Sequence, residues 1–249
     1  RYAIRNLWHS KGFAAVAIAC LSLGIGLNTT IFSIIDGVLL KPFPYEDPDR
    51  ILVRRTERAS TDGRANVSLP DLRDWKAAIT SFSSIAAVAG RSLTVTDGAG
   101  EPERYLGARI SWDLFRLLGV GPILGRDFVE SDDHPNSAGV VILSHMLWIN
   151  RYLSEPSVIG RGILVDAKPH TVVGVMPPDF AFPENQRLWV PLEREIPNDA
   201  RDARYLFTFG RLRPDIGQLR AQADLDTIAT RLEQEFPATN EGWHARLET

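Results

Sequence analysis

The sequence predicts an α+β protein: one N-terminal transmembrane helix followed by a mixed α/β domain on the far side of the membrane. Three observations carry this. Residues Gly12 to Ile35 form a run of 24 without a charged side chain, closed by Lys11 and Asp36. The rest of the 249-residue chain mixes short strand patterns with amphipathic helical ones, without the βαβ rhythm of a parallel sheet. The single cysteine, Cys20, lies inside the uncharged run, so no disulfide within the chain can hold the outer domain, which must rest on its own apolar core.

A helix over the uncharged run would be about 36 Å long at about 1.5 Å per residue, enough to cross a hydrocarbon core of about 30 Å with some tilt. Arg1, Arg5 and Lys11 precede it, and no acid stands before Asp36. The positive-inside rule then keeps the N-terminus in the cytoplasm and puts the main domain outside, in the periplasm of a two-membrane bacterium whose inner membrane holds the span, or on the outer surface. Those three residues give the first eleven a charge of +3, leaving −6 for the remainder of a chain of net charge −3. An acidic exterior gives no electrostatic reason to expect nucleic acid. A cleaved signal peptide is a poorer reading, because the apolar core exceeds an h-region of about 7–15 residues and no Ala-x-Ala site follows. Ala17-Ile18-Ala19-Cys20 faintly resembles a lipoprotein cleavage box, but the chain stays apolar after it.

Small residues recur in the run at Ala15, Ala19, Ser22, Gly26, Thr30 and Ser33, at spacings that keep one helix face. With polar Asn28 near the outer end they form a candidate packing face for other membrane helices. A lone anchor does not need such a face. Residues 1–11 read as a cytoplasmic amphipathic flank, and the span with its exit takes residues 12–40. The chain opens on Arg1 instead of Met, as a piece of a longer protein would.

The outer domain, residues 41–249, begins with Lys41-Pro42-Phe43-Pro44-Tyr45, a stiff exit, and a strand over 50–56 with Ile51 and Val53 on one face. Ser68-Leu69-Pro70-Asp71 is a strong helix start, a serine cap with proline in the first turn. That helix should reach Ile79 and bury Leu69, Leu72, Trp75 and Ile79. Strands follow at 85–88, 93–96 and 104–110, with Asp97-Gly98 as a turn. Ser111 is placed as the cap of a short helix to Leu118, with Phe115 and Leu118 inward; Gly119, Gly121 and Gly125 punctuate a loop. Next come an apolar strand at 140–143, a helix from Ser144 to Leu153, and a hairpin of 163–166 with 170–175. Gly174 inside that apolar strand indicates a bulge or close packing, and Pro177-Pro178 ends it. Residues 188–192 read as a short edge strand and 205–212 as the final strand. A helix over 218–236 should bury Leu219, Ala223, Leu225, Ile228, Leu232 and Phe236.

Catalytic signatures are missing. The chain has no G-x-x-x-x-G-K-[ST], H-E-x-x-H, C-x-x-C or G-x-S-x-G, so neither a phosphate cradle nor a metalloprotease or hydrolase motif is present. Asp132-Asp133-His134 is the one compact acid/histidine cluster. Three adjacent residues converge poorly on one metal, and the cluster reads as an acidic surface turn. Arg54, Arg55 and Arg58 read as a solvated strand edge or a lipid-headgroup contact. No catalytic, cofactor-binding or metal-binding residue is assigned, and no enzymatic activity is expected.

Several stretches are familiar in their order: Leu21-Ser22-Leu23-Gly24-Ile25-Gly26, Leu39-Leu40-Lys41-Pro42-Phe43-Pro44-Tyr45, Gly125-Arg126-Asp127-Phe128, Val141-Ile142-Leu143-Ser144, Val158-Ile159-Gly160-Arg161, Val172 to Pro183, and Gly210-Arg211-Leu212-Arg213-Pro214. Together they resemble the first span and periplasmic core domain of MacB-like, FtsX-type ABC transporter permeases, most of all the stand-alone permeases without a fused ATPase. The resemblance implies a two-lobed periplasmic domain, with a first lobe at about 44–110 plus 205–249 and an inserted lobe at about 111–204. It also implies further spans downstream, a separate cytoplasmic ABC ATPase, a permease dimer, a possible periplasmic adaptor, and work by mechanotransmission. The expected function is therefore a permease subunit of an exporter or mechanotransmission complex. The alternatives are a single-pass membrane-anchored periplasmic binding or sensor module and, less favoured, an anchored hydrolase.

Overall fold

The computed structural model describes Gly12, Val16, residues 20–26, 28 and 29, and then 50–58, 63–98, 100–178, 180–196 and 198–248. Arg1–Pro44 and Tyr45–Thr249 are separate compact units. In the first, every described residue is helical and exposed. Among the described residues no helix is long and apolar enough to cross a membrane. Ser22, Gly26 and Asn28 of the expected packing face are helical, while Ala15, Ala19, Thr30 and Ser33 lie outside the described residues.

The second unit begins with β1 (Ile51–Arg58), β2 (Gly63–Ala65) and helix α1 (Leu69–Ala78). Ser68 caps α1 by accepting from the Asp71 amide, Pro70 sits in the first turn, and Leu69, Leu72 and Trp75 are buried, as the serine-proline start predicts. Then come β3 (Phe82–Thr96), β4 (Glu103–Ile110), α2 (Leu114–Leu118), β5 (Leu124–Gly125), a 3-10 turn at Glu130–Asp133, and β6 (Val140–Leu143). Helix α3 (His145–Tyr152) follows, capped by the Ser144 hydroxyl, which accepts from the Leu147 amide. The chain continues through β7 (Gly162–Val165), β8 (Lys168–Val175), β9 (Leu188–Pro191), the one-turn α4 (Leu192–Glu195), β10 (Phe207–Leu212), α5 (Gln218–Glu235), α6 (Pro237–Asn240) and β11 (Trp243–Glu248).

All strands join one sheet in the order β11-β1-β10-β3-β4-β9-β6-β8-β5, with β2 on β1 and β7 on both β3 and β8. That double pairing of β7 closes a ring of six strands, β3-β4-β9-β6-β8-β7. Beyond β3 the sheet stays open as β10, β1 and β11. The register explains three apolar clusters. Leu93, Val95, Leu143, Ile163, Val165, Val172, Leu188 and Val190 alternate inward and fill the ring, with Leu147 and Tyr152 of α3 among them. On the same face of the open part, Ile85, Ala87 and Ala89 pack with α1 and α5 residues such as Leu72, Leu225 and Leu232. On the opposite face, Ala86, Val88, Ala108 and Trp189 pack under Phe115, Phe128 and Phe180. Phe115 meets Trp189 and Phe180 edge-on, at ring-centroid distances of 5.5 and 5.4 Å, the arrangement favoured by opposed ring quadrupoles.

Several expectations need correction. The strands at 85–88 and 93–96 are one strand, β3, of 15 residues. Ser111 does not cap α2: its hydroxyl accepts from the Ala87 amide and its own amide donates to Ala87 O, so it prolongs the β3–β4 ladder and the helix starts at Leu114. The segment expected at the sheet edge, β9, lies between β4 and β6 with all four residues buried. Strand β10 is not the last, because β11 follows and pairs with β1. Helix α5 buries Ala221, Leu225, Ile228, Ala229 and Leu232, whereas Ala223 and Phe236 are exposed and Leu219 is 90 % exposed; the inward stripe runs i, i+4, i+7, i+11 from Ala221.

Gly174 meets its expectation. The β6–β8 register slips between Val141 and Ile142, and a Cβ on Gly174 would stand 2.5 Å from Arg126 O. Its neighbour Gly125 has φ +78° and leaves only 2.2 Å between a would-be Cβ and Val173 O. Gly125→Ala should therefore lower the unfolding free energy by on the order of 2–3 kcal/mol in urea titrations of the detergent-solubilised chain. Gly121→Ala, where nothing lies within 4 Å, should change it by less than about 1 kcal/mol.

Candidate functional site

Strand β1 is held on both sides by strands far along the chain, β10 and β11. Strand β1 pairs with β10 from Ile51↔Arg211 to Arg54↔Thr208, and with β11 from Val53↔Glu248 to Arg58↔Trp243. Both pairings are antiparallel, so the start of β1 and the end of β11 lie at one end of the sheet. A displacement applied to both strands carries the open sheet along. A displacement of one alone must break ladder bonds singly from the 53/248 end, each worth about 0.5–1.5 kcal/mol net.

A buried ion cluster locks α1 to this strand pair. Asp71, in the first turn of α1, accepts from Arg204 at 2.6 Å, Arg201 at 2.6 Å and Asn240 at 3.0 Å. Arg201 also reaches Asp74 at 2.7 Å, and Arg204 reaches Thr239 O at 3.2 Å. Each guanidinium covers an aromatic ring: Arg201 lies 3.7 Å from the Phe236 centroid and Arg204 4.7 Å from that of Trp243. The Asp71 side chain is 2 % exposed and that of Arg204 5 %. These contacts tie α1, the segment before β10, the end of α5, α6 and the first residue of β11. Nothing in the local sequence signals the cluster, since Arg201 and Arg204 stand about 130 positions from Asp71.

The acidic turn expected at the surface is also built in. Asp132 and Asp133 are buried. Asp132 pairs with Arg126 at 2.7 Å and accepts from the Val129 amide. Asp133 accepts from the Trp112 amide at 3.2 Å and the Glu193 amide at 2.7 Å. Burial outweighs those bonds and pushes Asp133 up to about 7. Burial likewise raises Asp127 to about 6, against the Phe128 amide, and raises Asp113 despite Lys76 at 3.3 Å. Among the described residues no group of three or more histidine, cysteine or acidic side chains could hold a metal. Phe180 and Phe182 seal the aromatic cluster: Phe180 is buried, Phe182 contacts Phe209, and the Phe182 carbonyl accepts from the Trp189 indole at 2.9 Å.

An α+β domain with a strand ring, an open sheet and paired first and last strands defines the class. The sequence profile of the MacB-like periplasmic core domain matches residues 14–235, so the chain belongs to that family, whose members are periplasmic domains of ABC transporter permeases. The fold is similar to a domain of a protein described as a permease from Porphyromonas gingivalis (TM-score 0.62, 16 % identity, 83 % of this chain and 92 % of that one). It is also similar to the periplasmic region of MacB from Actinobacillus actinomycetemcomitans (0.60, 14 %, 79 % and 88 %), and to the extracellular domain of the noncanonic ABC-type transporter YknZ from Gram-positive bacteria (0.57, 14 %, 79 % and 99 %). No curated protein matches the sequence.

Removing Asp71 leaves the buried Arg204 guanidinium without a carboxylate, while Arg201 keeps Asp74, so Asp71→Ala should cost about 3–5 kcal/mol in chemical unfolding, whereas Glu235→Ala, at an exposed position at the end of α5, should cost under about 1 kcal/mol. The raised acids set the pH dependence. Their stabilisation is full below the unfolded-state carboxyl pKa, near 4, and is lost as pH rises through the folded values of about 6 for Asp127 and about 7 for Asp133. The unfolding midpoint should therefore fall from pH 4 to pH 8, and Asp127→Asn, which keeps an acceptor for the Phe128 amide, should flatten the part between about pH 4 and pH 6. An unchanged profile in that variant would refute the assignment.

Proposed function

We propose that the chain is part of the permease subunit of an ABC-type exporter or mechanotransmission complex, coupling a separate cytoplasmic ATPase to its outer domain. In this reading Gly12 to Ile35 span the inner membrane with the N-terminus in the cytoplasm, and the face of Ala15, Ala19, Ser22, Gly26, Asn28, Thr30 and Ser33 packs against other spans. The observation that carries the proposal is the pairing of β1 with β11. A domain that took force through a single strand would peel. One whose first and last strands are neighbours moves as a body when both are displaced. The clamp around Asp71 then passes that movement to α1 and α5. Domain movement of this kind needs no chemistry of the domain's own. The permease works as a dimer in this reading, and an adaptor would dock on the outer surface.

Two measurements test the proposal. Tagged full-length protein, purified in detergent from its native membrane, is expected to bring down a distinct ATPase polypeptide. In a Cys20→Ser background, a cysteine at Leu219, which is 90 % exposed, is expected to react with a membrane-impermeant maleimide in intact spheroplasts. Labelling only after lysis, or native purification without any ATPase subunit, would sink it.

A further inference from the structure

The six-stranded ring has two different ends. One is plugged by α3, whose Leu147 and Tyr152 belong to the apolar filling, together with Val158. The other is where β3 enters, β4 and β9 finish, and the β7–β8 turn lies. Polar side chains meet at this mouth, and nearly all of them have partners. Glu195, just after β9, accepts from Lys168 at 3.0 Å, pairs with Arg194, and stands 3.5 Å from His170 Nε2. Those bonds, His170 first, hold its carboxyl down at about 2. Asp166 accepts from the Thr94 amide at 2.9 Å and lies 3.8 Å from Arg91.

Two groups stand apart: His170 Nε2, buried without a hydrogen-bond partner at 3.5 Å from Glu195, and Arg109. It is half-buried, its Nε is fully buried without a hydrogen-bond partner, and among the described residues it forms neither a hydrogen bond nor an ion pair. A buried guanidinium with idle donors is costly and calls for a partner. A second cation makes it worse. The register sets Arg109 opposite Ala89 and Arg91 opposite Gly107, which puts the two arginines in diagonal positions on one face, about 7–8 Å apart at the backbone. Burial first, and then the charge of Arg91, push the Arg109 pKa down.

We propose that Arg109 and Arg91, at the open mouth of the strand ring, form a binding site for a single oxyanion group, a carboxylate or a phosphate monoester. Two guanidinium forks on adjacent strands match the planar edge of such a group and can hold it from two sides. The mouth of a small strand ring is also a usual place for a ligand. The charges of Glu195 and Asp166 also act on Arg109, which disfavours polyanions and nucleic acid and limits the ligand to one anionic group. Arg91, with a side chain 45 % exposed, is the reachable half of the pair; Arg109 is the buried half.

The test uses the 249-residue chain in detergent, with inorganic phosphate, acetate and sn-glycerol 3-phosphate as probes against chloride at equal ionic strength. One of them should raise the melting temperature saturably, acetate assigning a carboxylate and the two phosphates separating a free phosphate from a lipid-type headgroup. Arg109→Gln should abolish that rise, yet in chloride the variant should melt no lower than the native chain, because an unpaired cation has been removed. Arg91→Gln should raise the Kd measured by calorimetry at least tenfold, and it decides the matter should Arg109→Gln fail to fold. No anion-specific rise in the native chain, or an unchanged Kd in Arg91→Gln, overturns the proposal.

Discussion

Everything in the domain depends on β3. Fifteen residues at about 3.3 Å each make it about 50 Å long, more than twice a usual strand. Its first half pairs with β10, its second half with β4, and its last two residues with β7. It is thus the one strand shared by the open sheet and the closed ring. Where these meet, both of its faces are covered: Ala87 and Ala89 look toward α1 and α5, while Ala86 and Val88 look toward Phe115 and Trp189. Helices and aromatic rings packed on both sides at one point leave room for small side chains only, which is why three of those four are alanine. A leucine there would overpack two layers at once.

From β3 the rest of the architecture follows by period-two alternation. Residues that face the ring interior at Leu93 and Val95 share a face with Ile85, Ala87 and Ala89 of the open sheet. One face therefore carries two apolar clusters in a row, separated where Gly90, Arg91 and Ser92 interrupt the pattern. On the opposite face Arg211 of β10 donates to Leu117 O at 2.6 Å. It satisfies a free carbonyl at the end of α2 and so binds that short helix to the open sheet.

The sequence was readable where local chemistry decides the outcome. The serine caps of α1 and α3, the β7–β8 hairpin and the Gly174 bulge rest on neighbours a few residues away. It was misread where distant packing decides. Gly90-Arg91-Ser92 fall in the gap between the strands expected at 85–88 and 93–96, but the ladder with β4 runs straight through them, Gly90↔Ala108 and Arg91↔Gly107. Leu188 to Pro191 look like an edge because they are few and end in proline, yet strands on both sides and clusters on both faces bury them. Ser111 has the composition of a helix cap, but β3 presents Ala87 to it first. Leu219 is the largest apolar residue near the start of α5 and drew the predicted stripe toward itself; the observed stripe obeys the period and leaves it in water. The clamp around Asp71 carries no sequence signal because its members come from three distant segments. Of the residues assigned to the membrane packing face, Ser22, Gly26 and Asn28 are helical, and the others lie outside the described residues.

The polar seam between the two clusters is where the open sheet and the ring are least strongly joined. Helix α4 straddles it within one turn: Leu192 is buried in the cluster beneath α1 and α5, and Glu195 reaches the Lys168 and His170 side chains of β8. The two ends resist separation differently. Drawing Leu192 out of its cluster costs about 2–3 kcal/mol and nothing outside replaces the lost contacts. Glu195 at the seam is itself 7 % exposed and is held by Arg194, by Lys168 at 3.0 Å and, at 3.5 Å, by His170, so that end of the turn is fixed by charge where the Leu192 end is fixed by apolar contact. Backbone freedom lies at the same place, since Gly90 is exposed and a Cβ there would meet only Gln186 Nε2 at 3.9 Å. A displacement delivered to β1 and β11 reaches β3 through β10, and the first place it can be absorbed is the seam that holds Arg91 and Arg109. An oxyanion bound between those arginines would bridge β3 and β4 there and stiffen the joint, so the charge state of the ring mouth and the mechanical coupling of the domain are properties of one set of residues.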